Sequence, residues 1–248
     1  LTTTVGSLAL DGDSDNGVDT NDPVDNISFV SGITLTSAGD ISLSAANGGI
    51  SAAGALTLTA LSSITLTGAL TGAGDISLSA NSGVTLNSGI STTGSLTIEA
   101  DADDSGSAST DKLTLASGIN LSAGGALSLD ATTGGISGLG NVTLTSTGSS
   151  ITVTDSLTAL GAVTMTAASG LTLSNSTLTG TGDITLQGGS ALSLASGMNI
   201  TSSGGSIILG ASGGSITANN GALTLSSNGS ITVSNSLSSV GAVTMTAN

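Results

Sequence analysis

The sequence lacks the side chains from which most globular cores and catalytic sites are built. Its 248 residues include no Cys, His, Trp or Tyr, one Phe and one Pro. Large aromatic side chains normally supply much of a three-dimensional core, so we expect a narrow core filled by aliphatic residues. A narrow core favours a fold that repeats along an axis. Without cysteine no disulfide can form, and the redox compartment stays undetermined.

Positive charge is almost absent as well. Lys112 is the only basic residue, against 16 acidic residues, and the formal net charge is −15. Neutralising phosphates requires Lys and Arg, which excludes nucleic-acid binding, and a polybasic contact with a membrane fails for the same reason. No apolar run approaches the length of about 18 residues that a membrane span needs. No membrane span is therefore expected.

Short strand signatures recur along the whole chain. An apolar residue, a Ser or Thr and a second apolar residue follow one another, as in LTL at 56–58 and ITL at 64–66, with Gly, Asn, Asp or Ser on either side. Alternation with a period of two is typical of half-buried strands, and the flanking residues are those of turns. Thr and Ser at this density oppose a helix.

The spacing of these signatures indicates a solenoid. Leu56, Ile76 and Leu96 are evenly spaced along the chain, and other sets of aliphatic residues repeat at nearly the same interval. A fixed period of about 20 residues is typical of folds in which each coil buries its apolar face on its neighbours. We predict an all-β fold, a right-handed parallel β-helix with three strands and about 20 residues per coil and about twelve coils. The handedness rests on the general preference of parallel crossover connections.

A longer period lies over the short one. Leu8, Leu96 and Ile184 begin similar segments, which define an 88-residue unit. Some spacings between strand signatures are shorter than a coil, such as that from Ile41 to Leu56, and predict coils that lack the middle strand. We therefore predict super-repeats of four coils at 8–95, 96–183 and, incomplete, 184–248. Together they form a single β-solenoid segment, residues 1–248, of a longer repetitive protein.

The recurring pattern ITLTxxGxLTLxA resembles the central β-helical repeats of filamentous-haemagglutinin-like exoproteins, the two-partner-secretion adhesins of Gram-negative bacteria. The resemblance covers nearly all 248 residues. It implies a secreted, extracellular protein of the bacterial cell surface that acts as a structural or adhesive rod or filament. The implied partners are neighbouring repeats or copies of the same chain, end to end or side by side, and a host-cell or glycan surface.

Two acidic inserts interrupt the repeats, and the first has the pattern of a calcium loop. In DGDSDNGVDTND, carboxylates occupy positions 1, 3, 5, 9 and 12 of the twelve-residue loop, namely Asp11, Asp13, Asp15, Asp19 and Asp22. Two departures weaken the match, because Asn16 stands where Gly is expected and Asp replaces the bidentate Glu. The insert is expected either to bind calcium as a cofactor or to form a solvated acidic turn.

The second insert has a weaker form of the same pattern. DADDSGSASTDK offers Asp101, Asp103 and Ser105 at positions 1, 3 and 5, but Lys112 at position 12 opposes a metal. The alternative is a decorated surface turn. Because both inserts follow the first strand of an 88-residue unit, we expect them to project from one edge of the rod, where calcium would relieve the repulsion between their carboxylates.

Two further patterns concern turns and surfaces. The Gly-Asp pairs at 39–40, 74–75 and 182–183 predict turns before equivalent strands. Outward pairs such as Thr57 and Thr59 resemble the ice-binding face of antifreeze proteins, although Ser replaces Thr at Ser77 and Ser79. A surface-binding module for ice or glycans is therefore the alternative to a structural rod.

Catalysis is not expected from this composition. The chain has no Arg, His or Cys, and its only Lys lies at the end of an insert. The paired carboxylates of the inserts lie on loops expected to be exposed, where nothing would raise the pKa of one of them for general-acid catalysis. We predict that the protein is not an enzyme.

Overall fold

The strands of the computed structural model are all parallel and wind into a β-solenoid, which confirms the predicted all-β fold. The structure describes residues 1–12, 25–30, 32–105, 110–174, 177–219 and 221–248. In these ranges, no helix is long and apolar enough to cross a membrane.

The described residues form 32 strands. In chain order they are β1 (Thr2–Thr3), β2 (Leu8–Asp11), β3 (Asn26–Phe29), β4 (Ile33–Ser37), β5 (Ile41–Ser44), β6 (Gly49–Ala52), β7 (Leu56–Ala60), β8 (Ile64–Thr67), β9 (Leu70–Gly72), β10 (Ile76–Ala80), β11 (Val84–Leu86), β12 (Ile90–Thr92), β13 (Leu96–Glu99), β14 (Leu113–Leu115), β15 (Ile119–Ala123), β16 (Leu127–Asp130), β17 (Ile136–Gly138), β18 (Val142–Ser146), β19 (Ile151–Val153), β20 (Leu157–Ala159), β21 (Val163–Ala167), β22 (Gly170–Leu173), β23 (Thr177–Gly180), β24 (Ile184–Gly188), β25 (Ala191–Leu194), β26 (Asn199–Ser202), β27 (Ile207–Ala211), β28 (Ile216–Ala218), β29 (Leu223–Ser227), β30 (Ile231–Val233), β31 (Leu237–Ser239) and β32 (Val243–Ala247).

Every third strand belongs to the same sheet. Sheet 1 runs from β1 to β31 and has 11 strands, sheet 2 runs from β2 to β32 and has 11, and sheet 3 runs from β3 to β30 and has 10. One coil contributes one strand to each sheet. The turns that join the sheets stack into three corners, which we call corner 1–2, corner 2–3 and corner 3–1 after the sheets they connect.

The strands pair in the register that the short period predicts. Leu56 pairs with Ile76 and Ile76 pairs with Leu96, all in sheet 1. Because side chains alternate along a strand, this register places aliphatic residues inside and hydroxyl residues outside in every coil.

A continuous aliphatic core fills the space between the three sheets. In the coil that begins at β10, the buried aliphatic residues are Ile76, Leu78, Ala80, Val84, Leu86 and Ile90. Burying one of the larger aliphatic side chains contributes about 1.5–3 kcal/mol relative to leaving it exposed. Ala occupies the last inward position of β10, beside the corner.

Many coils are longer than the short period predicts. The short period would place Leu61 beside Ile41, but Ile41 pairs with Ile64. Leu127 likewise pairs with Ile151, which is further along the chain than the short period predicts. The extra residues lie at the corners, where they leave the pairing intact. The chain therefore makes fewer coils than the predicted twelve. Sheet 1 has 11 strands and hence ten spacings between neighbouring strands, which at about 4.8 Å each correspond to a rod about 48 Å long.

The prediction of short coils that lack a strand is wrong. Ile41 lies in β5 of sheet 2 and Leu56 lies in β7 of sheet 1, so the interval between them covers two strand steps and not one coil. The intervening strand, β6, is present and pairs with β9. In the sequence, the number of residues in two successive strands and their turns is close to that expected for one short coil.

The 88-residue unit contains eleven strands and not four coils. Leu8, Leu96 and Ile184 begin in β2, β13 and β24, which belong to sheets 2, 1 and 3. Eleven strands make three coils and two further strands, so each unit begins on a different side of the rod.

The first insert consequently lies at corner 2–3 and the second lies at corner 1–2. The expectation that both inserts project from one edge is wrong. The division into super-repeats stays a prediction of the sequence pattern.

Candidate functional site

The first insert lies almost entirely outside the described residues. Asp11 is the last residue of β2, and the N–H of the following Gly12 donates to the carbonyl of Ser44 at 2.8 Å. The other four predicted ligands, Asp13, Asp15, Asp19 and Asp22, lie outside the described part of the chain. Calcium binding at this insert stays a prediction.

The second insert leaves the rod through a narrow neck formed by two buried carboxylates. Asp101 follows β13 and Asp111 precedes β14 by two residues, and each side chain is only 2% exposed. Both residues contact the next coil. The N–H of Thr133 donates to Oδ2 of the Asp101 side chain at 2.9 Å, and the main-chain carbonyl oxygen of Asp111 lies so close to Gly134 that a Cβ there would be 2.4 Å from it. The two ends of the insert therefore pack against adjacent residues.

The three residues predicted as ligands in this insert do not form one group. Asp103 and Ser105 are exposed, and the N–H of Ser105 donates to Oδ1 of Asp103 at 3.2 Å, which closes a local turn. Asp101 is instead buried at the neck. Among the residues that the structure describes, no three Asp, Glu, His or Cys side chains come together as a metal-binding group.

Further acids stack on this neck in the following coils. Glu99 pairs in register with Asp130, and Asp155 lies at the same corner one coil later. We call this group the acidic corner, and its members are Glu99, Asp101, Asp111, Asp130 and Asp155. Asp130 and Asp155 were not among the predicted site residues, because they are about one coil apart and belong to no local motif. The register of the coils was the signal that could have found them.

The surroundings of Asp155 at this corner change its titration. Burial raises its pKa above the ordinary value, and the carboxyl group of Asp130 beside it adds to the rise. Hydrogen bonds oppose this, because the N–H of Ala131 donates to Oδ2 at 2.7 Å and the Thr154 hydroxyl donates to the same oxygen at 3.1 Å. The net effect is a raised pKa for Asp155 in the folded chain.

We expect Asp155→Asn to stabilise the protein at neutral pH. Asn235 occupies the equivalent position of a similar sequence at corner 3–1, where its Oδ1 accepts from the N–H of Ala211 at 2.8 Å, so an amide fits this geometry. A raised folded-state pKa favours folding at low pH and opposes it above that pKa. The midpoint of thermal unfolding should rise by no more than about 2–4 °C at pH 7.

The benefit of Asp155→Asn should shrink as the pH falls and the wild-type carboxyl becomes protonated. Circular dichroism melts at several pH values measure this. An unchanged benefit at acidic pH would contradict a protonation effect.

The Gly-Asp pairs form turns, but they precede strands of different sheets. Asp40 precedes β5 of sheet 2, Asp75 precedes β10 of sheet 1 and Asp183 precedes β24 of sheet 3, so the predicted equivalence is wrong. Each carboxylate accepts a backbone N–H from the next coil, from Ser63 at 3.0 Å, Ser95 at 2.8 Å and Ser206 at 2.7 Å respectively. These residues therefore tie successive coils together at all three corners.

The contribution of Asp40 to stability changes with pH in the opposite direction to that of Asp155. Hydrogen bonds from Ser62 and Ser63, with a further one from Ser7, lower its pKa from 3.8 to about 2. A lowered folded-state pKa contributes stability that is complete above pH 3.8 and is lost as the pH falls towards 2. Asp40→Ala should therefore lower the unfolding midpoint at pH 7, and the difference from wild type should narrow at pH 2. A difference that is constant with pH would disprove the carboxylate's role.

Buried hydroxyl groups join the coils from the inside. Ser146, Ser202 and Ser227 point inward at strand ends, and their hydroxyls donate to carbonyls of the preceding coil, at Gly125, Gly182 and Gly205, over 2.6–2.7 Å. The predicted aliphatic core therefore also contains hydrogen-bonded hydroxyls beside its corners. The recurring Ser or Thr two or three residues before Gly was the available signal.

The outer faces of sheets 1 and 2 each carry an unbroken column of ten hydroxyl side chains. The sheet 2 column consists of Ser42, Thr65, Thr85, Thr114, Ser137, Thr158, Thr179, Thr201, Ser226 and Thr246. The sheet 1 column consists of Thr34, Thr57, Ser77, Thr97, Ser128, Thr152, Thr172, Ser193, Thr217 and Ser238. Ser interrupts the run of Thr, as predicted, but it does not interrupt the hydroxyls.

Comparison of the chain with protein-family models, with curated proteins and with solved structures finds no match. The resemblance to filamentous-haemagglutinin-like exoproteins stays a prediction. The fold and the surface chemistry described above are therefore the basis for a functional proposal.

Proposed function

We propose that the chain is a structural rod segment of a bacterial cell-surface or secreted filament protein, in which length and stiffness are the function. The observation that carries this proposal is the uninterrupted pairing of strands in three sheets of 11, 11 and 10 strands. A rod of this kind positions an adhesive part of a protein at a distance and needs no catalytic residues.

Three sets of interactions support a stiff rod. Parallel backbone hydrogen bonds join each coil to its neighbours on all three sides. Carboxylates such as Asp75 and Asp183 accept a backbone N–H from the next coil at the corners. Hydroxyls such as that of Ser202 join the coils from inside. Bending the rod would break several of these contacts at once.

The test of the rod is to change its length without changing its surface chemistry. A filament protein that contains this segment should become shorter when whole strands are removed from it, while binding to its target by other parts is retained. Electron microscopy gives the length, and a cell-adhesion assay gives the binding. A filament whose length does not change after such shortening, or direct binding of the isolated segment to the target surface, would overturn the proposal.

A second candidate function is binding to a regular surface such as ice or a glycan. The sheet 2 column supports it, because ten Ser and Thr hydroxyls follow one another at intervals of about 4.8 Å without a charged residue. The sheet 1 column is equally long, but the charged side chains of Glu99 and Asp130 lie beside it on the same face. A flat, regular array of hydroxyls can match a repeating array of polar groups on a solid.

Paired variants separate this candidate from the rod. Thr158→Lys with Thr179→Lys places two charges on the sheet 2 column, and Thr152→Lys with Thr172→Lys does the same on sheet 1 as a control. Surface binding predicts thermal hysteresis, or retention on ice, cellulose or chitin, that the sheet 2 pair abolishes and the sheet 1 pair preserves. A wild-type chain that is inactive in all of these assays would rule the candidate out.

A further inference from the structure

We propose that the neck of the second insert binds a calcium ion between Asp101 and Asp111. This site differs from the loop pattern of the sequence, since it keeps the buried Asp101 and replaces the exposed Asp103 and Ser105 by the buried Asp111. It does not depend on the proposed rod function.

The observation that points to a ligand is an oxygen of Asp101 that lacks a partner. The side chain of Asp101 is only 2% exposed, and its Oδ2 accepts from the N–H of Thr133 at 2.9 Å. Oδ1 is also buried, and it has no hydrogen-bond partner among the residues that the structure describes. Leaving a charged oxygen buried and unpaired is costly, so a cation at this position would stabilise the fold.

Asp111 supplies the second carboxylate. It is as buried as Asp101, and the hydroxyl of Thr110 donates to its Oδ1 at 2.9 Å. The two residues contact Thr133 and Gly134, which are consecutive in the next coil, so the two ends of the insert lie side by side. Asp111 therefore brings a second buried carboxylate to the neck at which the unpaired oxygen of Asp101 lies.

The available donors select a hard cation. The chain has no His and no Cys, so every side-chain donor at the neck is an oxygen. Oxygen ligands suit calcium and magnesium, and calcium tolerates the irregular geometry and the larger number of ligands that a loop can supply. Carbonyl oxygens and water would complete its coordination. With two carboxylates, we expect a dissociation constant of about 10⁻⁴–10⁻³ M, as in extracellular calcium modules.

The other acids at this corner strengthen the attraction for a cation. Glu99 accepts a hydrogen bond from the hydroxyl of Ser79 at 3.2 Å and pairs in register with Asp130, and Asp155 follows in the next coil. Lys112 is the only base in the chain, and no hydrogen bond from it reaches Oδ1 of Asp101 within the described ranges. The negative potential is therefore concentrated beside the unpaired oxygen.

The test measures calcium-dependent stability in a background that removes the first insert's carboxylates. The parent is the full chain with Asp13→Ala and Asp15→Ala, freed of metal with a chelator and melted at increasing CaCl2 concentrations. Its melting midpoint should rise and then saturate, and MgCl2 at the same concentrations should have a smaller effect. Because the chain has no Trp or Tyr, far-UV circular dichroism and titration calorimetry are suitable readouts.

Two further substitutions locate the ion. Asp101→Asn should weaken the calcium response at least about tenfold in apparent affinity, a loss of about 1.4 kcal/mol, whereas the matched control Asp103→Asn should leave it unchanged. Asp111→Asn provides the same test if Asp101→Asn does not fold. A parent that shows no response up to about 10 mM calcium, well above the affinities of extracellular modules, would overturn the proposal. So would an Asp101→Asn or Asp111→Asn variant that keeps the parent's affinity.

Discussion

A chain that lacks residues 151–230 is expected to fold and to form a shorter rod. The deletion removes the eleven strands β19 to β29 and joins Ser150 to Ile231. The sequence ITVSNSL at 231–237 then replaces ITVTDSL at 151–157, so the local sequence around the junction is nearly unchanged. In a solenoid each coil contacts only its neighbours, so the strands that remain can stack on β16, β17 and β18.

In the shortened chain each of the last three strands moves to a different sheet. β30 leaves sheet 3 and takes the place of β19 in sheet 1, and β31 and β32 follow into sheets 2 and 3. The rod should shorten by eleven strands, or about 18 Å at 4.8 Å per coil, and keep a cooperative melt. Small-angle scattering measures the maximum dimension, and circular dichroism follows the melt.

The control for this deletion removes residues 144–230. It fuses the first half of β18 to β30 and eliminates the corner between them, so the last coil should not stack and should be digested by protease. If the 151–230 deletion were as protease-sensitive as this control, the three sides of the rod would not be interchangeable.

The second large effect is expected from Gly189→Ala at corner 3–1. A Cβ at Gly189 would lie 1.8 Å from the carbonyl oxygen of Ala168 in the preceding coil, and 2.5 Å from its carbonyl carbon. Both atoms belong to the backbone, so no flexible side chain can move aside. The coils would have to separate at this corner, where the N–H of Gly189 donates to the carbonyl of Ala167 at 2.8 Å. Overpacking of this kind costs about 1–3 kcal/mol.

Gly170→Ala is the matched control for this substitution. Gly170 lies in β22, and a Cβ there would have no atom within 4 Å. Replacing a strand glycine by alanine without a clash should be neutral or stabilising by up to about 1 kcal/mol. Denaturant unfolding of the two variants gives the comparison. Equal stabilities would show that the close approach of the two coils at Gly189 can relax at no cost.

The repeated alternation of residues was enough to predict the strands, their direction and their burial. Leu56, Ile76 and Leu96 were expected to stack on one another, and they do. The prediction succeeded because residues one coil apart along the chain lie next to each other in a parallel solenoid. The period of the sequence therefore identifies the residues that are neighbours in space. The near-absence of aromatic residues likewise agrees with the narrow aliphatic core.

The acidic corner shows where local patterns were insufficient. Asp101 was selected from a loop pattern with Asp103 and Ser105, but its burial and its unpaired oxygen depend on Thr133 in the next coil. Asp155 belonged to no motif, yet it shares the corner through Asp130. Corner turns and inserts vary in length, so an error of a few residues there is enough to assign the wrong neighbours.

The sequence alone determined that this protein is a parallel solenoid with aliphatic residues inside and hydroxyls outside, because both properties follow from the spacing of a few residue types. Only the tertiary structure decided which sheet each strand joins and which corner carries each insert. The three sides have nearly the same composition, so nothing in a strand such as that of Leu8 or Ile184 marks its side. That assignment depends on the number of strands that precede it, and eleven strands per repeat is not a multiple of three.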